Sequence, residues 1–171
     1  TSTSEALAQQ TINIISGAVV KGPLQGALVY ADSNNDGIGD GDPVMTGADG
    51  SYSIYSDNPN ASIIAVTSKN TVDTSSGETL PGITLKAPPG SLVVTPATTI
   101  LEAQPDIDPT QLAVALGIPT TDANGTAIDL TTFNPYAIDV DPAAALAVEK
   151  ASQQVMVTIQ AVSAAAEGAG M

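Results

Sequence analysis

The sequence predicts an α+β fold, with an N-terminal antiparallel β-sandwich over residues 11–95 and a small helical subdomain over 96–171 that ends in one long C-terminal helix. Three observations predict it. Up to Val94 the chain consists of short runs rich in Val, Ile, Thr and Tyr, broken by turn residues, as the strands of a sandwich require. Beyond Val94, Thr or Asp stands directly before Pro at Thr95–Pro96, Asp108–Pro109 and Asp141–Pro142. This pairing opens helices, because the polar side chain caps a free N–H and Pro at the first helical position has none to satisfy. A hydrophobic content of 43% in 171 residues is enough for a core.

The expected elements follow in order. TSTSEALAQQ, residues 1–10, is polar and reads as a tail, a linker or a segment donated to a neighbour. TINIISGAVV, GALVYAD, SYSIY, SIIAVTS, ITLKA and SLVVT are the expected strands, and KGP, NNDG, GADG, SDNPN, SSGE and APPG separate them as turns. Helices are expected from Pro96, from Pro109 to a stop at Gly117, and from Pro142 to near Glu167, the last on the order of 37 Å long. That helix aligns Ala145, Val148, Ser152, Val155, Ile159, Val162 and Ala166 on one stripe, flanked by Ala144, Ala147, Ala151, Ala161 and Ala165. Such a stripe packs on the rest of the molecule or forms a seam between molecules. A turn at Asn124–Gly125 and a helical turn near Leu130, capped by Asp129, fill the connection before it.

Charge narrows the partners. Lys21, Lys69, Lys86 and Lys150 are the only basic residues against 18 acidic ones, a formal net charge of −14. Nucleic acid and anionic membranes, which are bound through Lys and Arg, are excluded as partners. No apolar run approaches the roughly 20 residues of a membrane span, and the opening TSTSEALAQQ is not expected to be a signal peptide. The absence of Cys and His removes disulfides, thiolates and the Ser–His and Cys–His nucleophile systems. The chain is therefore expected to be non-enzymatic.

Small cations are the natural complement. In YADSNNDGIGDGDP, residues 30–43, the carboxylates of Asp32, Asp36, Asp40 and Asp42 are crowded together with no neighbouring positive charge in the sequence. Such crowding is costly without a counter-ion. Asp32, Asn34 and Asp36 occupy positions 1, 3 and 5 of an EF-hand-type loop, Gly37 the sharp turn at 6, the Ile38 carbonyl position 7 and Asp40 position 9. Pro43 stands at position 12, where an EF-hand has its bidentate Glu, and Asp42 comes one residue early. The expected ligands are Asp32, Asn34, Asp36, Ile38, Asp40 and Asp42, and the expected ion is Ca²⁺. Mg²⁺ favours fewer protein ligands and more water, and zinc lacks its His and Cys. Asp122, Asn124 and Asp129 in TDANGTAID are a second, poorer candidate.

The segment SGAVVKGPLQGALVYADSNNDGIGDGDPVMTGADGSYSI, residues 16–54, resembles the calcium-binding B-type repeats of bacterial surface adhesins. The carrying residues are the D-x-N-x-D-G-x-x-D loop followed by Thr46, Asp49, Gly50 and Tyr52. The resemblance implies a prealbumin-like sandwich related to Cna B domains, and a calcium-stiffened extracellular module of a cell-surface or secreted protein. It also implies a possible isopeptide bond at Lys21, with Glu78 or Asp73 as the assisting acid, against the plainer reading of an exposed loop lysine. Three functions are expected: a calcium-stabilised adhesin or biofilm-matrix module, a self-assembling filament or surface-layer subunit joined to neighbouring subunits, and a calcium-dependent domain for a peptide or glycan ligand at a cell surface.

Overall fold

The computed structural model describes residues 13–137 and 140–168, with side chains of the last helix described as far as Met156. The 1–10 segment therefore lies outside the described residues. Among the described residues, nine strands form three sheets. In the first, β1 (Asn13–Val19) lies between β5 (Ser51–Ser56) and β9 (Val93–Val94). The second has the order β4 (Asp40–Met45), β3 (Leu28–Asp32), β6 (Ser62–Val66), β8 (Thr84–Ala87), and a small third sheet joins β2 (Leu24–Gln25) to β7 (Val72–Asp73).

Alternation along the strands builds the core. In β5, Tyr52, Ile54 and Ser56 are buried while Ser51, Ser53 and Tyr55 are exposed, the period of two that places alternate side chains on opposite faces. Val19, Tyr52, Ile54 and Val94 of the first sheet meet Val29, Ile63, Ala65 and Leu85 of the second in one buried cluster. Gly17 sits opposite Tyr52 in the β1–β5 register. A Cβ at Gly17 would come within 2.8 Å of the Tyr52 hydroxyl and 2.6 Å of the Leu92 carbonyl oxygen, so only glycine lets the ring lie across β1. The tyrosine hydroxyl is buried there without a hydrogen-bond partner among the described residues.

Two departures from the expected sandwich have physical causes. The pairing is not wholly antiparallel, because β9 runs parallel to β1, with Ala18 beside Val93 and Val19 beside Val94. DGDPVM, whose Asp40, Asp42 and Pro43 were expected at positions 9, 11 and 12 of the acidic loop, is strand β4, paired with β3 through an irregular register between Val29 and Ala31. Pro43 is tolerated because β4 is an edge of its sheet.

The helices α1 (Pro96–Ala103), α2 (Pro109–Ala115) and α3 (Pro142–Gly168) begin at the expected prolines. Thr95 caps α1 in a reciprocal box with Thr98, and Asp108 accepts the Thr110 N–H to cap α2, which stops before Gly117 at φ 76°. Asp141 behaves differently, because its carboxylate accepts the N–H of Ala123 at 3.1 Å and ties the start of α3 to the preceding turn. The expected turn of helix near Leu130 is a hydrogen-bonded turn, with Asp129 accepting from both the N–H and the hydroxyl of Thr131.

Ala97 and Leu101 of α1, Leu112 and Ala113 of α2, Ile118, Leu130, and Val148 and Ala151 of α3 form a second buried cluster. The α3 stripe is buried at Ala145, Val148, Ser152 and Val155. Its continuation through Ile159, Val162 and Ala166 lies outside the described side chains. Met156 leaves the stripe and joins the inter-sheet core. Val148→Asp should therefore cost about 3–5 kcal/mol, since it forfeits apolar burial and buries an unpaired charge. Urea denaturation of the purified variant measures this directly.

Candidate metal centre

The site begins where β3 ends. Asp32 is only 1% exposed, and its two oxygens accept the N–H of Asp36 at 3.1 Å and of Gly37 at 2.7 Å. A buried carboxylate needs such donors, and by taking them it curls the next five residues back over itself. Asn35 enters the left-handed region at φ 55° and Gly37 at φ 87°, conformations that Asn tolerates and Gly adopts freely. The loop then closes on β4, where Asp40 accepts the Ser33 N–H at 2.9 Å.

One oxygen from each of Asp32, Asp36 and Asp40 lies within 4.8 Å of the others. The three differ in setting, with Asp32 buried, Asp40 half-buried and Asp36 exposed. The Ile38 N–H, 2.9 Å from Asp36 Oδ1, is the main reason the Asp36 carboxyl stays below the usual carboxylate range, and the Asn34 amide also lowers it. Asp36 is thus stabilised as an anion. Oxygen donors of this kind suit a hard cation.

Of the other expected ligands, Asn34 is exposed beside Asp36, and the Ile38 side chain is 68% exposed. Asp42 is exposed on β4 and lies outside the close group, because the residues from Asp40 onward are extended rather than curled. The Asp32, Asp36 and Asp40 oxygens form a group that could hold a metal ion.

Five contacts were not foreseen. Asn35 Oδ1 accepts the Ser62 N–H at 3.1 Å, and the Ser62 hydroxyl lies 2.7 Å from the same oxygen and 3.0 Å from Glu102 Oε1 on α1. Asn58 donates from its amide to the Ser33 carbonyl at 2.8 Å. Lys86 on β8 reaches the Gly37 carbonyl at 3.5 Å, so a positive charge does stand near the loop, supplied from 49 residues away. Asn two residues before Gly37, a residue type that tolerates the left-handed region, is the one local signal that could have singled out Asn35. Beside Asp40 opens a cavity of about 540 Å³ lined in part by Ser33, Tyr55, Ser56 and Asp57.

The second acidic turn is engaged with its own backbone. Asp122 accepts the N–H groups of Asn124 and Thr126. No second close acidic group is found among the described residues.

Lys21 is a correction to the exposed-loop reading. Its side chain is 14% exposed and pairs with Asp73, 2% exposed, at 3.2 Å. Burial pushes the Asp73 carboxyl up, but the Ser75 hydroxyl and N–H, together with Lys21, hold it below its usual range. In the same pocket burial pushes Tyr136 up to about 12.

Comparison with family models, curated proteins and solved structures returns no match to this chain. No helix among the described residues is long and apolar enough to cross a membrane.

Two expectations follow for Lys21 and Asp73. The intact mass should equal the full sequence mass, with a deficit of one water or one ammonia as the contrary result. Because the folded pKa of Asp73 is depressed, its stabilisation is complete above the unfolded carboxylate value of about 3.9 and is lost as the pH falls through the folded value. In chelator, urea stability should fall more steeply below about pH 4 in the wild type than in Asp73→Asn.

Proposed function

We propose that this chain is a non-enzymatic, calcium-stabilised extracellular module of a bacterial adhesin or biofilm-matrix protein, with a prealbumin-like sandwich. The observation that carries the reading is the convergence of Asp32, Asp36 and Asp40 within 4.8 Å on a loop whose curl is set by backbone N–H groups donated to Asp32. Calcium would lie against these three carboxylates and offset their repulsion. Its binding energy would then be folding energy, because the unfolded chain holds no such cluster. The likeness of residues 16–54 to B-type repeats supports the extracellular setting, as does a chain free of Cys that needs another means of stiffening.

The cavity beside Asp40 favours a second reading, a calcium-dependent binding domain. Tyr55 is 70% exposed at its wall, and an ion held partly by Asp40 would present its free coordination position close by. A peptide or glycan oxygen is the group that such a position would take.

Chelation should lower the melting temperature, and calcium should restore it with an affinity in the range of about 10⁻⁴ to 10⁻³ M or somewhat tighter. Asp36→Ala should abolish this response while Asp122→Ala leaves most of it. Coincident melting curves in calcium and in chelator would refute the proposal, and the reverse ranking of the two variants would move the ion to the second turn.

A further inference from the structure

Asn35 stands between Asn34 and Asp36 and is not one of the expected ligands. Among the described residues it is the only one other than glycine with a positive φ, at 55°. Glycine adopts that conformation at lower cost, so the turn by itself does not require an amide side chain there. The amide has a use beyond the turn. Its Oδ1 accepts the main-chain N–H of Ser62 at 3.1 Å and lies 2.7 Å from the Ser62 hydroxyl. Ser62 is 2% exposed and opens β6, in register with Asp32 of β3. The hydroxyl has a single hydrogen for two acceptors, because Glu102 Oε1 on α1 is also within 3.0 Å. The main-chain N–H is a second, independent donor to Asn35.

The bonds that curl the loop nearly all end on one residue. Asp32 takes the N–H of Asn35 on its carbonyl at 3.3 Å, and the N–H groups of Asp36 and Gly37 on its carboxylate. A curl anchored only at its base is free to tilt about that base. The Asn35 amide ends instead on the neighbouring strand, and on the other side of Asp36 the Gly37 carbonyl lies 3.5 Å from the Lys86 ammonium of β8. Both neighbours of Asp36 are thus tied to the sheet. Placement matters most for Asp36, since it is the exposed member of the acidic group and its carboxylate is held chiefly by the nearby Ile38 N–H.

We propose that Asn35 is a positioning residue for the metal centre. Acting through Ser62, it holds the loop against β6 and so keeps Asp36 within reach of Asp32 and Asp40. The inference rests on the reading of that group as a calcium site. Removing residues that orient ligands without touching the ion commonly weakens metal binding by about 10–100-fold.

Asn35→Gly and Asn35→Asp in the full chain test this. Glycine keeps the left-handed turn and loses the tether, whereas aspartate keeps an acceptor oxygen for both Ser62 donors. Calorimetric titration should find calcium bound about ten-fold more weakly, or worse, by Asn35→Gly. Asn35→Asp should bind it no more weakly than the wild type. Terbium is a second probe, excited through Tyr30, on which the loop packs so closely that a Cβ at Gly39 would come within 2.7 Å of the ring carbon Cγ. Its luminescence lifetimes in water and heavy water count the waters on the ion, and Asn35→Gly should carry more of them than the wild type. In chelator, the Ser62 amide should exchange faster in Asn35→Gly than in Asn35→Asp. Equal calcium affinity in Asn35→Gly and the wild type overturns the positioning role and leaves the calcium site standing. So does an Asn35→Asp chain as weak as Asn35→Gly, which would show that the acceptor oxygen is not what holds the loop. A wild-type chain that binds neither calcium nor terbium refutes the calcium reading of the site, and this inference with it.

Discussion

Asp32 is a carboxylate with almost no access to water and no ion pair among the described residues, held by the N–H groups of Asp36 and Gly37. A charge so placed is expensive unless its donors are fixed, and that requirement shapes everything around it. Meeting it forces the curl of residues 33–37, and the curl delivers Asp36 and Asp40 to the same small volume. The loop is thus organised by one buried anion before any metal enters. The chain gathers negative charge there by spending backbone donors, in a group that could hold a metal ion.

The loop is also wired to the rest of the molecule. Ser62 of β6 bridges Asn35 in the loop and Glu102 on α1. Lys86 touches the loop through its ammonium and α1 through its backbone, receiving the Thr98 hydroxyl on its carbonyl and giving its N–H to Thr99. Order in the loop therefore bears on the seat of the first helix, although the two lie in halves of the chain with separate buried clusters. The acidic loop and the docking of α1 draw on overlapping hydrogen bonds.

What could be read from the sequence was what local chemistry decides. Thr95–Pro96 and Asp108–Pro109 mark true caps because the capping bond spans only two or three residues. The Val, Ile and Tyr runs became β1, β3, β5 and β6 for a similar reason. The loop spacing failed from Asp40 to Met45, where Asp40, Asp42 and Pro43 were expected to continue the acidic loop but pairing with β3 makes a strand. That same extension carries Asp42 away from the cluster. Lys86 near the loop, Lys21 against Asp73, and Asp141 reaching back to Ala123 depend on partners 18 to 52 residues distant. No spacing rule within a loop or helix contains such information.

The parallel seam between β1 and β9 has a mechanical consequence. Because the two strands run in the same direction, tension applied ahead of Asn13 and beyond Val94 pulls them in opposite senses along their common axis. The bonds from Ala18 to Leu92 and from Val20 to Val94 would then be loaded together, in shear, and would have to break at once instead of opening one after another like a zip. Tyr52, lying across Gly17 beside the Leu92 carbonyl, adds an obstacle to sliding at the same place. A chain held at both ends would resist extension there first, with only a few hydrogen bonds and one ring acting as the catch.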